Sequence, residues 1–598
     1  MPCPPLVPIS IIPPVSQGVG PLVWRNGSQV ARLTVPLNPS WLVYDGSVTR
    51  WGDGSATAPV LLPALQEVDA NLIAYNIGTT ASGQLAKTAG LPTTIANDLY
   101  GGAAGEVVYQ TGLNQTGFTS VGTTGQLLQS NGSSSPTWIG ANNISVTATG
   151  STTPRTLANR FADVLNVKDF GAVGDGVADD STEIQAAINY CSANSITLFI
   201  PSGTYRLLNY ISFPSNLNVY GEIGSQLYFD PTMTLSPPIG ASAKAFYSNN
   251  TSNINISQIR FYSSQTVSKV ITGAFINVSG FRLTNCQFDT FGNSSYYAQG
   301  LVLFGCDNVY LEGCVFQNCS GDGLAFSDSC QNIFLTNCQA NNNGDYGVVF
   351  TINCKQISVV GCSFLANSST NLGADRCSDV VFANNVLEGS SFGIRVARYV
   401  DTSDVNSSIV ILGNVVRGCS SQGISIANPE SSPFSNSGYV SVTANSIYSC
   451  SQGVYIADIK DVSVSSNVVY NSTNEGILVI AYQSGQNTSN VSVNGNVVDT
   501  ATYGIRQLTV SGTMGKISVN GNIITNCSVA SVVTTNADVF DGNTSSNYIN
   551  ISRSLSFPAS VVYATSATGG GITPPSQVYG YITVYLDGSL KKIPVYNA

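Results

Sequence analysis

The side chains best suited to chemistry in this chain of 598 residues are carboxylates that recur beside a repeated glycine. Asp322 (SGDGLAF) and Asp345 (NGDYGVVF) both lie in the turn before an apolar run. If successive turns of the chain stack about 4.8 Å apart, the two carboxyl groups lie roughly 5 Å from each other. That separation is typical of the nucleophile and the acid/base of retaining glycosidases. Two aspartates in ordinary turns are the competing interpretation.

A second pair and a local concentration of charge widen the candidate surface. Counting back two residues from a column of cysteines aligns Asp328 with Asp375 two turns later, roughly 9.6 Å away, near the upper end of the inverting range. Only 9% of the chain is charged, yet nine charged residues fall between positions 375 and 417. Besides Asp379 they are Asp375, Arg376, Glu388, Arg395, Arg398, Asp401, Asp404 and Arg417.

These residues suggest a site for an acidic polysaccharide. A carboxylic acid can protonate a leaving oxygen, and a guanidinium group can bind a charged sugar. A surface network of ion pairs is the alternative. We therefore expect the catalytic carboxylates among Asp322, Asp345, Asp375 and Glu388, and the substrate-binding arginines among Arg395, Arg398 and Arg417.

Composition excludes several other kinds of chemistry. The chain has no histidine, which rules out Ser-His-Asp and Cys-His catalysis and histidine metal ligands. Its 14 cysteines lack paired C-x-x-C spacing, so we expect free thiols, no metal and no cofactor. A net charge of −10 disfavours nucleic acid as a partner. The sequence has no run of 18 apolar residues, so we expect no membrane insertion.

The elements that must position the candidate residues are about ten repeats between Phe275 and Ser528. DNVYLEGCVFQNCSGDGLAFSDSC (307–330) and QNIFLTNCQANNNGDYGVVFTINC (331–354) align without a gap at a period of 24. Apolar residues occupy every second position of segments such as NVYLEGC, which predicts strands. A column of cysteines continues as a column of asparagines, and a repeat of this kind predicts a β-solenoid. The asparagines are Asn385, Asn414, Asn445, Asn467, Asn496 and Asn522.

Two stretches upstream of the repeats carry a family resemblance. VGTTGQLLQSNG followed by PTW (121–138) resembles a module of bacteriophage tail fibres and tailspikes. TLANRFADVLNVKDFGAVGDGVADDSTEIQAAINYCSA (156–193) resembles the start of the pectate-lyase-like right-handed β-helix in phage tailspikes, where a short amphipathic helix covers the first coil. We interpret the aspartates of GAVGDGVADD as turn and helix-capping residues, with Asp180 or Ser181 as the cap. The Gly-His-Gly and Arg-x-Lys of polygalacturonases are absent.

The resemblance implies an all-β protein in four parts. These are an N-terminal β-rich virion-attachment region (1–100), a fibre-like linker module (101–155), a right-handed parallel β-helix (156–530) and a C-terminal β-rich trimerisation module (531–598). Within the last part, an Asp587-Gly588 turn predicts a hairpin.

The resemblance also implies a function and partners. We expect a homotrimeric tailspike of the phage tail, assembled in the host cytoplasm and acting at the host cell surface. It would join virion tail proteins through its N-terminal region, and bind and cleave a host surface polysaccharide by carboxylate-pair hydrolysis. Eliminative cleavage of a uronic-acid polymer and non-enzymatic receptor binding stay open as alternatives.

Overall fold

The computed structural model describes residues 102–113, 115–237, 243–264, 272–293, 295, 297–397, 408–428 and 439–529 with their side chains. Outside these residues it describes only the placement of short strands. The chain forms two compact units, Met1–Ala158 and Asn159–Ala598. No helix among the described residues is long and apolar enough to cross a bilayer.

The second unit is an all-β parallel solenoid of about 12 turns, as expected for a right-handed β-helix. Each coil contributes three strands, because its apolar residues alternate in segments separated by turns. The first strands of successive coils pair in parallel to form one sheet. They are Val164–Asn166, Thr197–Ile200, Leu217–Gly221, Ser252–Ser257, Ser279–Thr284, Asp307–Glu312, Gln331–Thr336, Lys355–Val360, Ser378–Ala383, Ser408–Leu412, Tyr439–Thr443, Lys460–Ser465, Asn487–Asn494, Ile517–Asn520 and Ala537–Asp541.

The second and third strands of the coils belong to a sheet of 27 strands. The second strands are Asp175–Asp179, Gly203–Asn209, Ser225–Thr234, Arg260–Tyr262, Gln287–Asp289, Val315–Gln317, Gln339–Asn341, Ser363–Leu365, Val386–Glu388, Val415–Arg417, Ser446–Tyr448, Ile523–Thr525 and Thr544–Ser545. The third strands are Ile211–Ser212, Phe246–Asn249, Gly273–Ile276, Leu301–Phe304, Leu324–Ser327, Tyr346–Phe350, Thr370–Asp375, Phe392–Ala397, Gln422–Ala427, Gln452–Ala457, Ala530–Thr534 and Ile549–Ile551. In two coils a single long strand takes the place of the second and third strands, namely Val468–Ala481 and Val497–Thr509.

The predicted cysteine and asparagine columns lie inside the solenoid. The 13 cysteines of the described residues are buried thiols. At the corner between first and second strands, Asn414 Nδ2 donates to Asn445 Oδ1 at 2.9 Å, and Asn445 Nδ2 donates to Asn467 Oδ1 at 2.9 Å. The same side chains also donate to backbone carbonyls, for example Asn445 to Ile411 O. The columns therefore stabilise the scaffold and contribute no chemistry.

The expected amphipathic helix is present as Ser181–Asn194, with Ile184, Ala187, Ile188 and Cys191 buried on one face. Asp180 stands at its N-cap position, but its side chain makes no cap hydrogen bond. The carboxylate instead accepts hydrogen bonds from the backbone N–H groups of Val173 (2.6 Å) and Gly174 (3.1 Å). The capping prediction for Asp180 is wrong because these two donors in the preceding turn occupy the carboxylate.

Short antiparallel hairpins make up the described strands outside the solenoid. In the first unit the pairs are Val23–Asn26 with Gln29–Arg32, Trp41–Tyr44 with Thr49–Gly52, Ile77–Thr79 with Leu85–Lys87, Val108–Gly112 with Gln115–Phe118, Gln126–Asn131 with Ser134–Gly140, and Ser145–Thr147 with Pro154–Thr156. At the C-terminus, Val578–Leu586 pairs with Ser589–Tyr596 about Asp587-Gly588, which confirms the predicted hairpin. The remaining helical turns are Ala141–Asn143, Leu157–Phe161 and Val167–Phe170, and Thr513–Met514 pairs with Asn487–Asn494.

Candidate functional site

The candidate site lies on the outer side of the solenoid where the third strands begin. Parallel pairing puts Tyr346, Thr370 and Phe392 side by side in three successive coils. Asp322 stands one coil earlier, and its Oδ1 accepts a hydrogen bond from Tyr346 N at 3.1 Å. Asp322, Tyr346 and Phe392 directly precede members of the repeated glycine column, whereas Thr370 precedes Asn371.

Tyr297 connects the two predicted carboxylates. Its hydroxyl group donates to Asp345 Oδ2 at 3.3 Å and also interacts with the side chain of Asp322. Its ring lies against Gly321, where a β-carbon would come within 2.7 Å of the ring. Because both carboxyl groups contact one hydroxyl group, their nearest oxygen atoms lie no more than about 7 Å apart, two hydrogen-bond lengths. The structure therefore brings Asp322 and Asp345 together, within the range of distances between the two carboxyl groups of glycosidases.

Burial makes the two aspartates chemically different. Asp322 is only 6% exposed, whereas Asp345 is partly exposed. Desolvation, opposed by the Tyr346 N–H and reinforced by the charge of Asp345, raises the pKa of Asp322 to about 6. Burial, together with the two neighbouring carboxylates, also raises the pKa of Tyr297, so this hydroxyl group keeps its proton. One carboxyl group can thus be an acid near neutral pH beside a second carboxylate.

Tyr346 and Arg395 form a second polar pair on the same face. Arg395 Nη1 donates to the Tyr346 hydroxyl oxygen at 3.0 Å, and its guanidinium carbon lies 5.3 Å from the centre of the Phe392 ring. The Tyr346 ring lies over Gly373, where a β-carbon would come within 2.6 Å of it. Arg395 is therefore held by the aromatic residues Tyr346 and Phe392, two coils after the coil of Asp345.

Two of the remaining predicted residues that the structure describes, Glu388 and Arg417, lie outside this cluster. Glu388 and Arg417 pair in register on the second strands, with Arg417 Nη2 and Glu388 Oε2 2.7 Å apart. Their side chains are 44% and 52% exposed, which fits the alternative of a surface ion pair. Arg398 lies outside the described residues. The predicted charged surface is thus divided between two faces of the coil.

Asp375 ends the third strand Thr370–Asp375 and pairs with Ala397 in the next coil. Ala374 pairs with Phe350 of the preceding coil, so Asp375 is in register with Thr351. The predicted alignment of Asp375 with Asp328 is wrong because the shorter coil loses one residue in the turn before Cys377.

Sequence reasoning missed both tyrosines. Tyr346 adjoins Asp345 in NGDYGVVF, so its position in the row before the glycine column was a usable signal. Tyr297 lies in a longer turn between Asp289 and Leu301 that interrupts the repeat, and no periodic pattern points to it. Among the described residues, no group of three or more Cys, Asp or Glu side chains could hold a metal ion.

Comparison with known proteins gives similar folds and short sequence matches. Residues 164–375 match the family described as rhamnogalacturonase A/epimerase, pectate lyase-like. Over 102 residues, 16% of this chain, the identity with mannuronan C5-epimerase AlgE1 of Azotobacter vinelandii is 31%. This match spans only 7% of the length of that epimerase.

Two solved structures illustrate the likeness of fold. The A-module of mannuronan C-5 epimerase AlgE4 from Azotobacter vinelandii has a TM-score of 0.38 and 18% identity, covering 66% of this chain and 100% of the module. A tailspike protein of the E. coli bacteriophage HK620 has a TM-score of 0.41 and 15% identity, covering 68% of this chain and 82% of the tailspike. The pectate-lyase-like part of the resemblance is supported for residues 164–375, and a phage origin stays a prediction.

Proposed function

We propose that this protein is a polysaccharide depolymerase that hydrolyses glycosidic bonds with Asp322 and Asp345. The observation that carries the proposal is the Tyr297 hydroxyl group, which joins a buried carboxyl group of raised pKa to a more exposed one. A pair of carboxyl groups in different environments is the requirement of a glycosidase.

We propose a two-step reaction with retention, which uses two carboxyl groups about 5–5.5 Å apart. Asp345 attacks the anomeric carbon while Asp322 transfers its proton to the glycosidic oxygen, so that the bond to the leaving sugar breaks and a glycosyl ester forms on Asp345. The Asp322 carboxylate then accepts a proton from water, whose oxygen displaces Asp345 and regenerates both side chains. Tyr297 donates a hydrogen bond that orients Asp345 before the attack.

The biological setting that we propose is a homotrimeric phage tailspike. It acts on a host surface polysaccharide and attaches to the virion tail through its N-terminal region. The phrase VGTTGQLLQSNG with PTW and the helix-capped start of the solenoid support this role.

Elimination from a uronic-acid polymer is the second candidate reaction. It needs a base that removes a carbon-bound proton and a cation that neutralises the sugar carboxylate. Arg395 supplies the cation, and the Tyr346 hydroxyl group, to which Arg395 donates a hydrogen bond, supplies the base. Tyr346 stands one coil after Asp322 on the same face. The short match to a mannuronan epimerase adds support for a uronate substrate.

Purified protein incubated with host capsule, lipopolysaccharide and polymannuronate tests the proposal. We expect new reducing ends without the absorbance of an unsaturated sugar. Asp322→Asn should lower the rate by about 10²–10⁴-fold, since it removes the general acid. Glu312→Gln, which changes an exposed carboxylate on the first strand of the same coil, is the matched control and should keep the wild-type rate.

Three results would discriminate the candidates. Products with the ultraviolet absorbance of a new double bond would replace hydrolysis with elimination. Full activity of Asp322→Asn would remove Asp322 from the mechanism. Binding of a host polysaccharide without any shortening of its chains would favour a receptor-binding role.

A further inference from the structure

A cleft of about 440 Å³ opens at the corner between first and second strands in the early coils, away from the aspartates. Its volume lies in the range of small-ligand sites. Its polar lining residues include Glu222, Gln226, Gln258, Arg260, Asn285 and Gln287. None of these residues belongs to the proposed catalytic site.

A turn that is one residue longer than its neighbours creates this cleft. The corner turn after Gly221 contains the three residues 222–224, whereas the next two corner turns contain two residues each. The longer turn is fixed in place, because Ser202 N donates to Glu222 Oε1 at 2.7 Å and Glu222 N donates to Ser225 Oγ at 2.9 Å. Ile223, at its tip, is 98% exposed. The turn is thus an anchored ledge above the corners of the following coils.

Stacked aromatic rings adjoin the cleft. Tyr228 and Tyr262 pair in register with ring centres 5.0 Å apart, and the Arg260 guanidinium carbon lies 4.3 Å from the centre of the Tyr262 ring. Arg260 also lines the cleft, so it joins the cleft to the rings. The two rings do not line the cleft themselves, so their role is to hold the Arg260 guanidinium group at its edge.

The hydrogen bonds within the cleft leave both donors and acceptors for a ligand. Arg260 Nη1 donates to Gln226 Oε1 at 2.9 Å, which leaves the Gln226 amide group as a donor. Gln287 Nε2 donates to Asp289 Oδ2 at 3.3 Å, which leaves Gln287 Oε1 as an acceptor. Sugar hydroxyl groups both donate and accept, so they can bond to the two amides together.

The charges favour a neutral ligand. Arg260 Nη2 lies 2.5 Å from Asp289 Oδ2, so its charge is neutralised, and Glu222 adds a carboxylate to the cleft. A uronic acid would meet no unpaired cation among these residues and would be repelled by Glu222.

We propose that this cleft is a second, non-catalytic carbohydrate-binding site that takes a neutral, hydroxyl-rich sugar residue. It would hold one part of a glycan while the aspartate site acts on another. It is independent of the proposed reaction, because binding here needs none of the catalytic residues.

The test uses the full chain carrying Asp322→Asn, so that no probe is consumed. Laminarihexaose and cellohexaose are the neutral probes and hexamannuronate is the acidic one, with binding followed by saturation-transfer NMR and calorimetry. We expect a neutral hexaose to bind, and Tyr262→Ala or Gln287→Trp to weaken its affinity at least tenfold. Circular dichroism of each variant checks the fold.

Tyr310→Ala is the matched control. Tyr310 stacks on Phe334 at 5.0 Å with Arg282 above its ring, which repeats the aromatic motif on another sheet, but Arg282 does not line the cleft as Arg260 does. Unchanged affinity in this variant supports the proposal. The proposal is overturned if neither neutral hexaose binds, if the two cleft variants bind as the parent does, or if hexamannuronate binds more tightly at this cleft. Cleavage by the wild-type chain is scored separately, so that failure here leaves the depolymerase proposal standing.

Discussion

Asp322 has its raised pKa first because it is buried, and the neighbouring charge of Asp345 adds to the effect. The Tyr346 N–H acts in the opposite direction by donating to the carboxylate. The same backbone hydrogen bond fixes the orientation of the carboxyl group, so the acid is both protonated and positioned. Position and protonation state therefore come from one local environment.

The pKa of Asp322 predicts how activity depends on pH. A general acid with a pKa of about 6 loses its proton as pH rises, so hydrolysis should decline above about pH 6. A rate profile measured from pH 4 to 9 checks this expectation. A profile that stays flat through pH 8 would contradict the role of Asp322 as the acid.

The raised pKa of Asp322 also predicts that the stability of the fold falls as pH rises. Stabilisation by protonated Asp322 is complete below its ordinary pKa of 3.8 and is lost as pH rises through about 6. The difference of about 2.2 units corresponds to at most about 3 kcal/mol. Asp322→Asn removes this loss, so melting temperatures measured at pH 4 and pH 7.5 should differ less in the variant than in the wild type. Equal differences in the two proteins would refute the shift.

The absence of a side chain at Gly373 leaves room for the Tyr346 ring, whose hydroxyl group accepts a hydrogen bond from Arg395. In Gly373→Ala the new β-carbon would stand 2.6 Å from the Tyr346 ring, so the ring must move and its hydroxyl group must leave Arg395. We expect Gly373→Ala and Tyr346→Phe to change the kinetics of cleavage similarly, with no further change in the double variant, because both remove the same contact. Additive effects would show that Gly373 acts elsewhere.

At the scale of the element, the asparagine ladder makes each corner depend on its neighbours. Asn445 Oδ1 accepts from the backbone N and the Nδ2 of Asn414, and Asn445 Nδ2 donates to Ile411 O, Thr443 O and Asn467 Oδ1. All of these groups are removed from water, so each lost partner leaves an unsatisfied polar atom. The ladder therefore fixes the corners that separate one face of the coil from the next.

Asn445→Ala should destabilise the solenoid strongly. An unsatisfied buried donor or acceptor costs about 1–3 kcal/mol, and this substitution creates several, so we expect a loss of about 3 kcal/mol or more. Chemical denaturation measures the loss. Asn474→Ala is the control, since exposed Asn474 makes one surface hydrogen bond to Ser451 Oγ, and it should change stability by less than about 0.5 kcal/mol. Comparable losses in the two variants would contradict the role of the ladder.

At the scale of the whole molecule, a solenoid buries its apolar residues only by stacking, so its last coils need a partner. The helix Ser181–Asn194 packs its apolar face into the core of the early coils. We propose that the residues after Ile551, which ends the last solenoid strand, close the other end through trimerisation. The trimer would also decide which outer faces of the coil remain open to a polysaccharide.

The trimer has a direct test in solution. Light scattering of the full chain should give about three times 62.5 kDa. A chain ending at Ile551, after the last solenoid strand, should give the mass of a monomer, because the proposed association module is removed. A monomeric full chain, or a truncated chain that still forms a trimer, would contradict the assignment.

The repeat alone was sufficient to predict the solenoid. Alternation of apolar residues reports which side chains face the core, and a period of 24 reports which residues of neighbouring coils stand side by side. Asp322 and Asp345 could be placed together for this reason. The two aspartates stand side by side because of the register between neighbouring coils, and the repeat in the sequence sets that register.

Contacts between faces and through irregular turns were decided only by the tertiary structure. Tyr297 reaches both aspartates from a turn that has no counterpart in the repeat. The corner of the coil separates Glu388 and Arg417 from Arg395, although all three are close in sequence. Side-chain reach and the direction of a turn depend on the atoms packed around them, which a one-dimensional pattern does not contain. The carboxylates were thus predictable from sequence, whereas the tyrosine that joins them and the ledge above the corner cleft were not.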